Sequence, residues 1–353
     1  MYFVLYDRFF NSIGETYILE DWSRIQRATD FDDIRIVGEQ IPYSAEPFFV
    51  VVNDRQGKLV FSGLASTPII DDKEKKTTLV LKDYRTLFNS DVVVNWNSFF
   101  PEDAPLAYYL TYILSAWKNQ VDVGFDNIEF DLERVANIVW DNEAMPIGTD
   151  TESFKLYEAI QDVMNYYNVY CVPELDVYKK KLTFTFYVSN SRHVSIRLKD
   201  FGINSLEKSF GEYNRATVYS SGYSKMSQWA LTESNEIVRL PTTRNDLVYP
   251  GKNKNFVAQA ASGDLTADQA VWNATYEAVM GLAANRFQEN IDLDLKQYQA
   301  ISGLEELTFE YGVSVYTEDG FYKEIPVSEI ETDSKGTHIV RLGRRVQELT
   351  QEI

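Results

Sequence analysis

The sequence predicts an α+β multidomain protein: two similar β-barrel-like domains, one near each end, with α+β domains between them. Three observations lead there. The chain has 353 residues, too many for one compact core, so two to four domains are expected. One strand–turn–strand pattern occurs twice. Between its copies, stretches with helical periodicity alternate with strand-like ones.

The first copy starts at Phe48, runs through a β-branched stretch to Gly57 and on to Phe61. It passes Pro68, turns at Asp71-Asp-Lys-Glu-Lys-Lys76, and resumes as Thr78-Leu-Val-Leu-Lys-Asp83. The second starts at Leu307, turns at Gly320, passes Pro326, turns again at Asp333-Ser-Lys-Gly336, and resumes as Thr337-His-Ile-Val-Arg341. Gly57 and Gly320 hold the same place in their turns, and so do the charged loops. Two similar domains per chain let three chains present six of them, so a trimer can meet a six-fold partner.

Four regions follow in order. Residues 1–88 read as an all-β domain, from the alternation in Tyr2-Phe-Val-Leu-Tyr6, the run Arg35-Ile-Val37 and the hairpin after Phe48. Pro42, Pro47 and Pro68 mark edges or loops, because proline cannot donate to a ladder. Residues 89–193 read as α+β. Asp103-Ala-Pro105 forms a helix start, with an N-cap acid and a first-turn proline. Leu106, Tyr109, Leu110, Ile113, Leu114 and Trp117 then share one face. A second helix is expected after Thr149-Asp-Thr151, burying Phe154, Leu156, Ile160, Val163, Met164 and Tyr167. A hairpin closes the region, with Leu182, Phe184, Phe186 and Val188 on the buried face of its second strand. Residues 194–225 and 301–353 read as the second β-domain. Residues 226–300 read as a lobe inserted into it, with one long helix capped by Thr266 and Gln269 at capping-box spacing. A stripe of Val271, Ala274, Ala278, Leu282 and Ala283 suits that helix to close packing.

Composition excludes several classes. A hydrophobic fraction of 44% with 25% charged residues reads as ordered and globular. The 23 Tyr and 21 Phe favour sheets and packed interfaces. No apolar run of about eighteen residues exists, so no membrane-spanning segment is expected. The first residues, Met1 to Arg8, lack a basic leader and a cleavage site, so no secretory signal is expected. A lone Cys171 excludes an internal disulfide framework. The formal charge of −19 argues against a basic nucleic-acid groove. It leaves two readings open: plain solubility, or a surface from which nucleic acid slides away.

No catalytic, cofactor-binding or metal-binding set emerges. His193 and His338, the two histidines, lack ligand-spaced partners. Cys171 with His193 would make a thiol–imidazole pair, but Cys171 lies in an apolar strand and reads as a small hydrophobe. Asp30-Phe-Asp-Asp33 offers the oxygens a calcium ion needs but lacks an EF-hand's glycine and spacing, so a solvated loop is expected. Asp71 to Lys76 reads as a charged hairpin tip. Asp292-Leu-Asp294 reads as a strand with its acids outward, and Arg344-Arg345 is too small for a nucleic-acid patch. The aromatic runs at Tyr108, Tyr109 and Tyr112, and at Tyr166 and Tyr167, read as core or subunit contact rather than sugar platforms.

Residues Thr77 to Val92, with the preceding Phe61-Ser-Gly63, resemble the end of the first domain in tail-associated baseplate hub proteins of siphophages. That family is similar in fold to the myophage baseplate hub. The likeness extends over most of the chain through its domain order: first tube domain, α+β domain, second tube domain, inserted lobe. It implies a structural, non-enzymatic homotrimer at the virion tail tip, made in the host bacterial cytoplasm. Such a trimer would adapt to the six-fold tail tube and form or close the DNA-ejection channel. The implied partners are the distal tail protein, the tape measure protein, the tail tube and receptor-binding proteins. Phage DNA would pass without specific binding. Many family members continue into a lysin or peptidase region. This sequence runs only a few residues beyond its second β-domain, so that activity is not expected. The alternatives are a tail-associated cell-wall peptidase or lysin, and a receptor-binding adhesin.

Overall fold

The computed structural model describes residues 2–7, 9–16, 21–39, 49–53, 59–65, 69–71, 76–96, 101, 104–121, 127–145, 147, 151–189, 191–197, 202–209, 213–220, 225–233, 236–248, 254–260, 267–284, 288–294, 307–316 and 321–343. The turns at Gly57 and Gly320, the three early prolines, Asp103, Thr149, Thr266 and the Arg344-Arg345 pair lie outside them.

The opening region is built from β1 (Tyr2–Tyr6), β2 (Ser12–Thr16), β3 (Asp21–Arg27), β4 (Asp33–Glu39), β5 (Phe49–Asn53), β6 (Leu59–Ala65), β7 (Ile69–Asp71) and β8 (Lys76–Lys82). Strand β5 shows why its sequence is apolar throughout. Val50 and Val52 join Leu5, Ile34, Ile36, Phe61, Leu79 and Leu81 in one core. Phe49 and Val51, on the other face, join the core of the helices that follow. A strand covered on both faces reads as an uninterrupted hydrophobic run.

Next come β9 (Asp91–Asn95), α1 (Leu106–Gln120), β10 (Ile128–Asp131), β11 (Thr151–Lys155), α2 (Leu156–Tyr167), β12 (Val169–Asp176) and β13 (Lys181–Val188). The six residues expected on one face of α1 are the six that it buries. Its N-cap position is Pro105, without a side-chain cap bond, rather than Asp103. Residues 151–155 are strand, not helix, because they pair antiparallel with β9 from Thr151↔Asn95 to Lys155↔Asp91. Helix α2 therefore starts at Leu156 and buries Leu156, Ile160, Val163 and Met164, leaving Phe154 and Tyr167 half-buried. It ends at Asn168 with φ 55, the left-handed position that Asn tolerates at a helix C-terminus. The β12–β13 hairpin forms as expected, with β10 added parallel to β13. Leu182, Phe184 and Phe186 are buried in β13, whereas Val188 at its end is half-buried.

The remainder comprises β14 (Arg192–Arg197), β15 (Gly202–Ser209), β16 (Tyr213–Ser220), β17 (Lys225–Leu231), β18 (Ile237–Leu240), β19 (Lys254–Ala260), α3 (Ala267–Ala284), β20 (Gln288–Asp294), β21 (Tyr311–Tyr316), β22 (Phe321–Asp333) and β23 (His338–Leu342). Helix α3 lays Ala270, Ala274, Ala278, Val279 and Leu282 on a four-stranded sheet of order β18-β17-β16-β19. Small side chains let the helix approach that sheet closely; Val271 and Ala283 stay half-buried. Strand pairing crosses the boundaries drawn at residues 225 and 300. Strand β16 bonds into the lobe's sheet, and β20 bonds to β15 and β23.

The fold is mostly β with few helices, spread over several sheets. The largest has fourteen strands, with the path β15-β20-β23-β22-β3-β4-β8-β6-β5-β1-β2 and side pairings by β14, β21 and β7. Separate β-barrel-like modules were expected, but no closed barrel is found among the described strands. One open sheet runs through both β-regions instead, because β22 bonds to β3.

The two regions share a strand plan. Strands β5, β6–β7 and β8 form an antiparallel meander, as do β21, β22 and β23. In each, an earlier strand flanks the last one, with Asp33↔Lys82 and Ile34↔Leu81 matching Asp292↔Arg341 and Leu293↔Val340. A further strand then flanks that one, β3 beside β4 and β15 beside β20. The plans differ at one side: β1 runs antiparallel to β5, whereas β14 runs parallel to β21.

Candidate functional site

A connected network of charged side chains lies where β22 meets β3. The ladder runs from Glu329↔Arg27 to Asp333↔Ser23. It is extended by Ala28 N–H donating to Ser328 O at 3.0 Å and Ser334 N–H to Trp22 O at 2.9 Å. Thus a backbone seam joins the two β-regions within one chain.

Charged side chains line this seam as two linked rows. In the first, Arg27 bonds Asp33 at 2.8 Å and Glu329 at 3.3 Å. Arg341 then contacts Glu329 and bonds Glu331 at 2.7 Å. In the second, Arg24 Nη2 reaches Asp32 Oδ2 at 3.1 Å, and Arg85 Nη2 reaches Asp32 Oδ1 at 2.8 Å and Asp83 Oδ2 at 2.7 Å. The rows connect where Arg27 N–H donates to Asp32 at 3.1 Å. Asp83 also caps the short 3-10 turn Tyr84–Phe88, accepting from Arg85 N–H at 2.7 Å, and accepts from Asp32 N–H at 2.6 Å. Arg85 Nη1 donates to the carbonyl of Arg27 at 3.1 Å. Burial by itself disfavours the Arg85 charge, but Asp83 and Asp32 outweigh it and hold the guanidinium above its ordinary range. Burial pushes the Asp32 carboxyl up, against the pull of Arg85.

This corrects the expectation of a solvated Asp30-Phe-Asp-Asp33 loop. Asp32 is only 6% exposed. Asp33 pairs with Arg27, and Asp30 accepts from the Tyr157 hydroxyl at 2.8 Å. The oxygens that calcium would need already serve arginines and a tyrosine. The signal was present in the sequence as Arg24 and Arg27 set against Asp32 and Asp33 across a tight hairpin, where opposite charges pair. A cleft of about 430 Å³ opens beside this network, lined by Arg24, Arg27, Arg85, Lys179 and Lys181 among others.

The other candidates fall apart from one another. Cys171 lies 1% exposed in the helical core, where burial pushes its thiol up. His193 is exposed on β14, and His338 pairs with Thr332 at the start of β23. Asp71 pairs with Lys76 at the base of a hairpin whose tip lies outside the described residues. Asp292 and Asp294 lie on β20 beside the fully buried Leu293. Tyr109 is buried and stacks on Trp140 with centroids 4.0 Å apart. Tyr112 donates to the Asn95 carbonyl, and Tyr108 is 44% exposed. Tyr166 donates to the Asp141 carboxylate at 2.7 Å, and Asp141 N–H donates to the Tyr167 hydroxyl at 2.7 Å. No group of three His, Cys, Asp or Glu suited to a metal stands among the described residues, and no described helix is long and apolar enough to cross a membrane.

No protein-family model matches the sequence, and no curated protein matches it. Solved structures do match, over nearly the whole chain. The 43 kDa tail protein of prophage MuSo2 from Shewanella oneidensis superposes with a TM-score of 0.52 at 11% identity, covering 97% of this chain and 97% of that one. The chain has the fold of phage tail proteins. The prophage tail protein gp18 from Listeria monocytogenes gives a TM-score of 0.51 at 9% identity, over 98% of this chain and 95% of that one. A tail protein from Neisseria meningitidis gives 0.50 at 11% identity, over 97% and 96%. Coverage of this extent on both sides means that the α+β region and the lobe belong to the shared fold, as well as the β-regions.

Proposed function

We propose that this chain is a structural subunit of a phage tail-tip or baseplate hub. Three copies would form a ring whose six β-regions meet the six-fold tail tube. One observation carries the reading: a single chain holds two β-regions of the same strand plan, fastened side by side through β22 and β3. A trimer of such chains offers six near-equivalent modules, which resolves a three-to-six symmetry mismatch without a second protein. The tail-protein fold supports a place in the virion. The resemblance of Thr77 to Val92 supports the hub position within the tail.

In this reading the regions 1–88 and 194–225 with 301–353 form the rim, while 89–193 and the lobe hang below it. Neighbours would be the distal tail protein, the tape measure protein, the tail tube and receptor-binding proteins. The channel would pass DNA without gripping it, since a chain of charge −19 repels phosphate. The role is structural rather than catalytic. Cys171, weighed in the sequence with His193 as a thiol–imidazole pair, is buried, and burial pushes its thiol up, away from the nucleophilic thiolate. Light scattering on the purified protein at micromolar concentration is expected to return the mass of three chains. A homogeneous monomer there would remove the hub reading.

A further inference from the structure

The turn between β1 and β2 and the turn between β12 and β13 lie against each other, with Lys180 Nζ donating to the Phe9 carbonyl at 3.1 Å. An aspartate braces each turn from within. Asp7 accepts from the N–H groups of Phe9 at 2.8 Å and Asn11 at 2.9 Å, and Asp176 accepts from Lys179 N–H at 3.0 Å. Each turn also sends one apolar side chain inward and its neighbour outward. Phe10 stacks on Phe49 with centroids 5.6 Å apart, while Phe9 is 60% exposed. Val177 packs on the helical core, while Tyr178 is fully exposed.

The lysines after Tyr178 give this double tip its charge. Lys179-Lys180-Lys181 is the longest run of basic residues in a chain of net charge −19. Lys181 is taken up by Glu129. Lys179 keeps 75% of its side chain exposed beside Asp176 at 3.3 Å, and Lys180 is exposed as well. Solubility alone would be served by the lysines, whereas bare rings cost apolar contact with water. The tip joins both.

We propose that this double tip is a membrane-contact element that seats on anionic lipid, with Tyr178 and Phe9 entering the headgroup layer and Lys179 and Lys180 facing lipid phosphates. A tyrosine ring, apolar in body and polar at its hydroxyl, settles at the boundary between headgroups and acyl chains. Lysine suits a diffuse anionic surface, because its ammonium is a mobile point charge and not a fork that demands one matched partner. Tyr178 stands fully exposed on a turn, so it fits a surface and not a small ligand held in a pocket. The contact is peripheral and reversible, since two rings and two ammonium groups fall far short of a spanning segment. Each chain carries its own tip, so the proposal holds for one chain or for three.

Vesicle flotation tests it. Purified protein is expected to float with phosphatidylglycerol vesicles, less so as salt is added, and hardly at all with phosphatidylcholine vesicles. Lys179→Gln/Lys180→Gln is expected to lower the partition coefficient by about tenfold or more, through the loss of two charges at the surface. Phe9→Ser/Tyr178→Ser should lower it at every salt level. Met226→Ser, at an exposed apolar side chain of the lobe, should leave it unchanged. Circular dichroism reports whether each variant is folded. Tyr178→Trp adds an indole whose quenching by brominated lipid is read against the wild type and its six tryptophans. Quenching of that added signal is expected. A folded wild type that stays unbound overturns the proposal, as does flotation that both tip variants leave unchanged. Flotation without quenching, joined to equal capture by double-stranded DNA, also overturns it, assigning the lysines to polyanions at large and not to lipid.

Discussion

Arg85 shows how much of this molecule rests on single charged side chains. Its guanidinium serves Asp83, Asp32 and the Arg27 carbonyl together, out of water. Arg85→Met leaves two buried carboxylates without their main counter-charge, and such a loss costs about 3–5 kcal/mol. Denaturant unfolding should show that drop in midpoint. Asp162 behaves differently. It sits on α2 and accepts from the Tyr276 hydroxyl of α3. Burial pushes its carboxyl from 3.8 up to about 6, opposed by the Tyr276 bond. The folded state therefore binds the proton more tightly than the unfolded state. The site's stabilisation is complete below pH 3.8 and is lost as pH rises to about 6. By linkage this amounts to about 3 kcal/mol at most. Thermal unfolding across that window should show a shallower pH dependence for Asp162→Asn than for wild type.

At the level of elements, β6 carries a test of the shared strand plan. A Cβ at Gly63 would lie 2.8 Å from the Lys82 carbonyl oxygen, a backbone atom that cannot step aside cheaply. Gly63→Ala is expected to destabilise by about 1–3 kcal/mol, as overpacking does, read again by denaturant midpoint. Elements also show what could be read in advance. The buried face of α1 was legible in full, because six apolar residues at helical spacing have no competing explanation. The β12–β13 hairpin was legible because alternation and a polar turn agree. Residues 151–155 were not. Their strand character comes from β9, whose partner is some sixty residues away and leaves no local trace. The membership of β16 was equally hidden, since it depends on β19 beyond a long connection. At the site, the acidic stretch Asp30 to Asp33 is visible in the sequence but the burial of Asp32 is not, because it is imposed by the distant Asp83 and Arg85.

For the whole molecule, the acidic charge and the doubled plan belong together. A ring of these chains is expected to carry more Asp and Glu than Lys and Arg along its bore. A reconstruction of the assembled tip checks this by residue count; a bore lined mainly by bases would rule out a phosphate-repelling wall. The seam between β22 and β3 has a mechanical side. Two modules fastened by five consecutive ladder pairs cannot hinge against each other without breaking several backbone hydrogen bonds at once. The lobe is tied in by backbone ladders too, β16 with β17 and β19 and β20 with β15 and β23, and by side-chain contacts such as Tyr276 with Asp162 and Arg239 with Glu143. A force that would spread the two β-regions apart is thus shared by a row of main-chain bonds instead of falling on one contact.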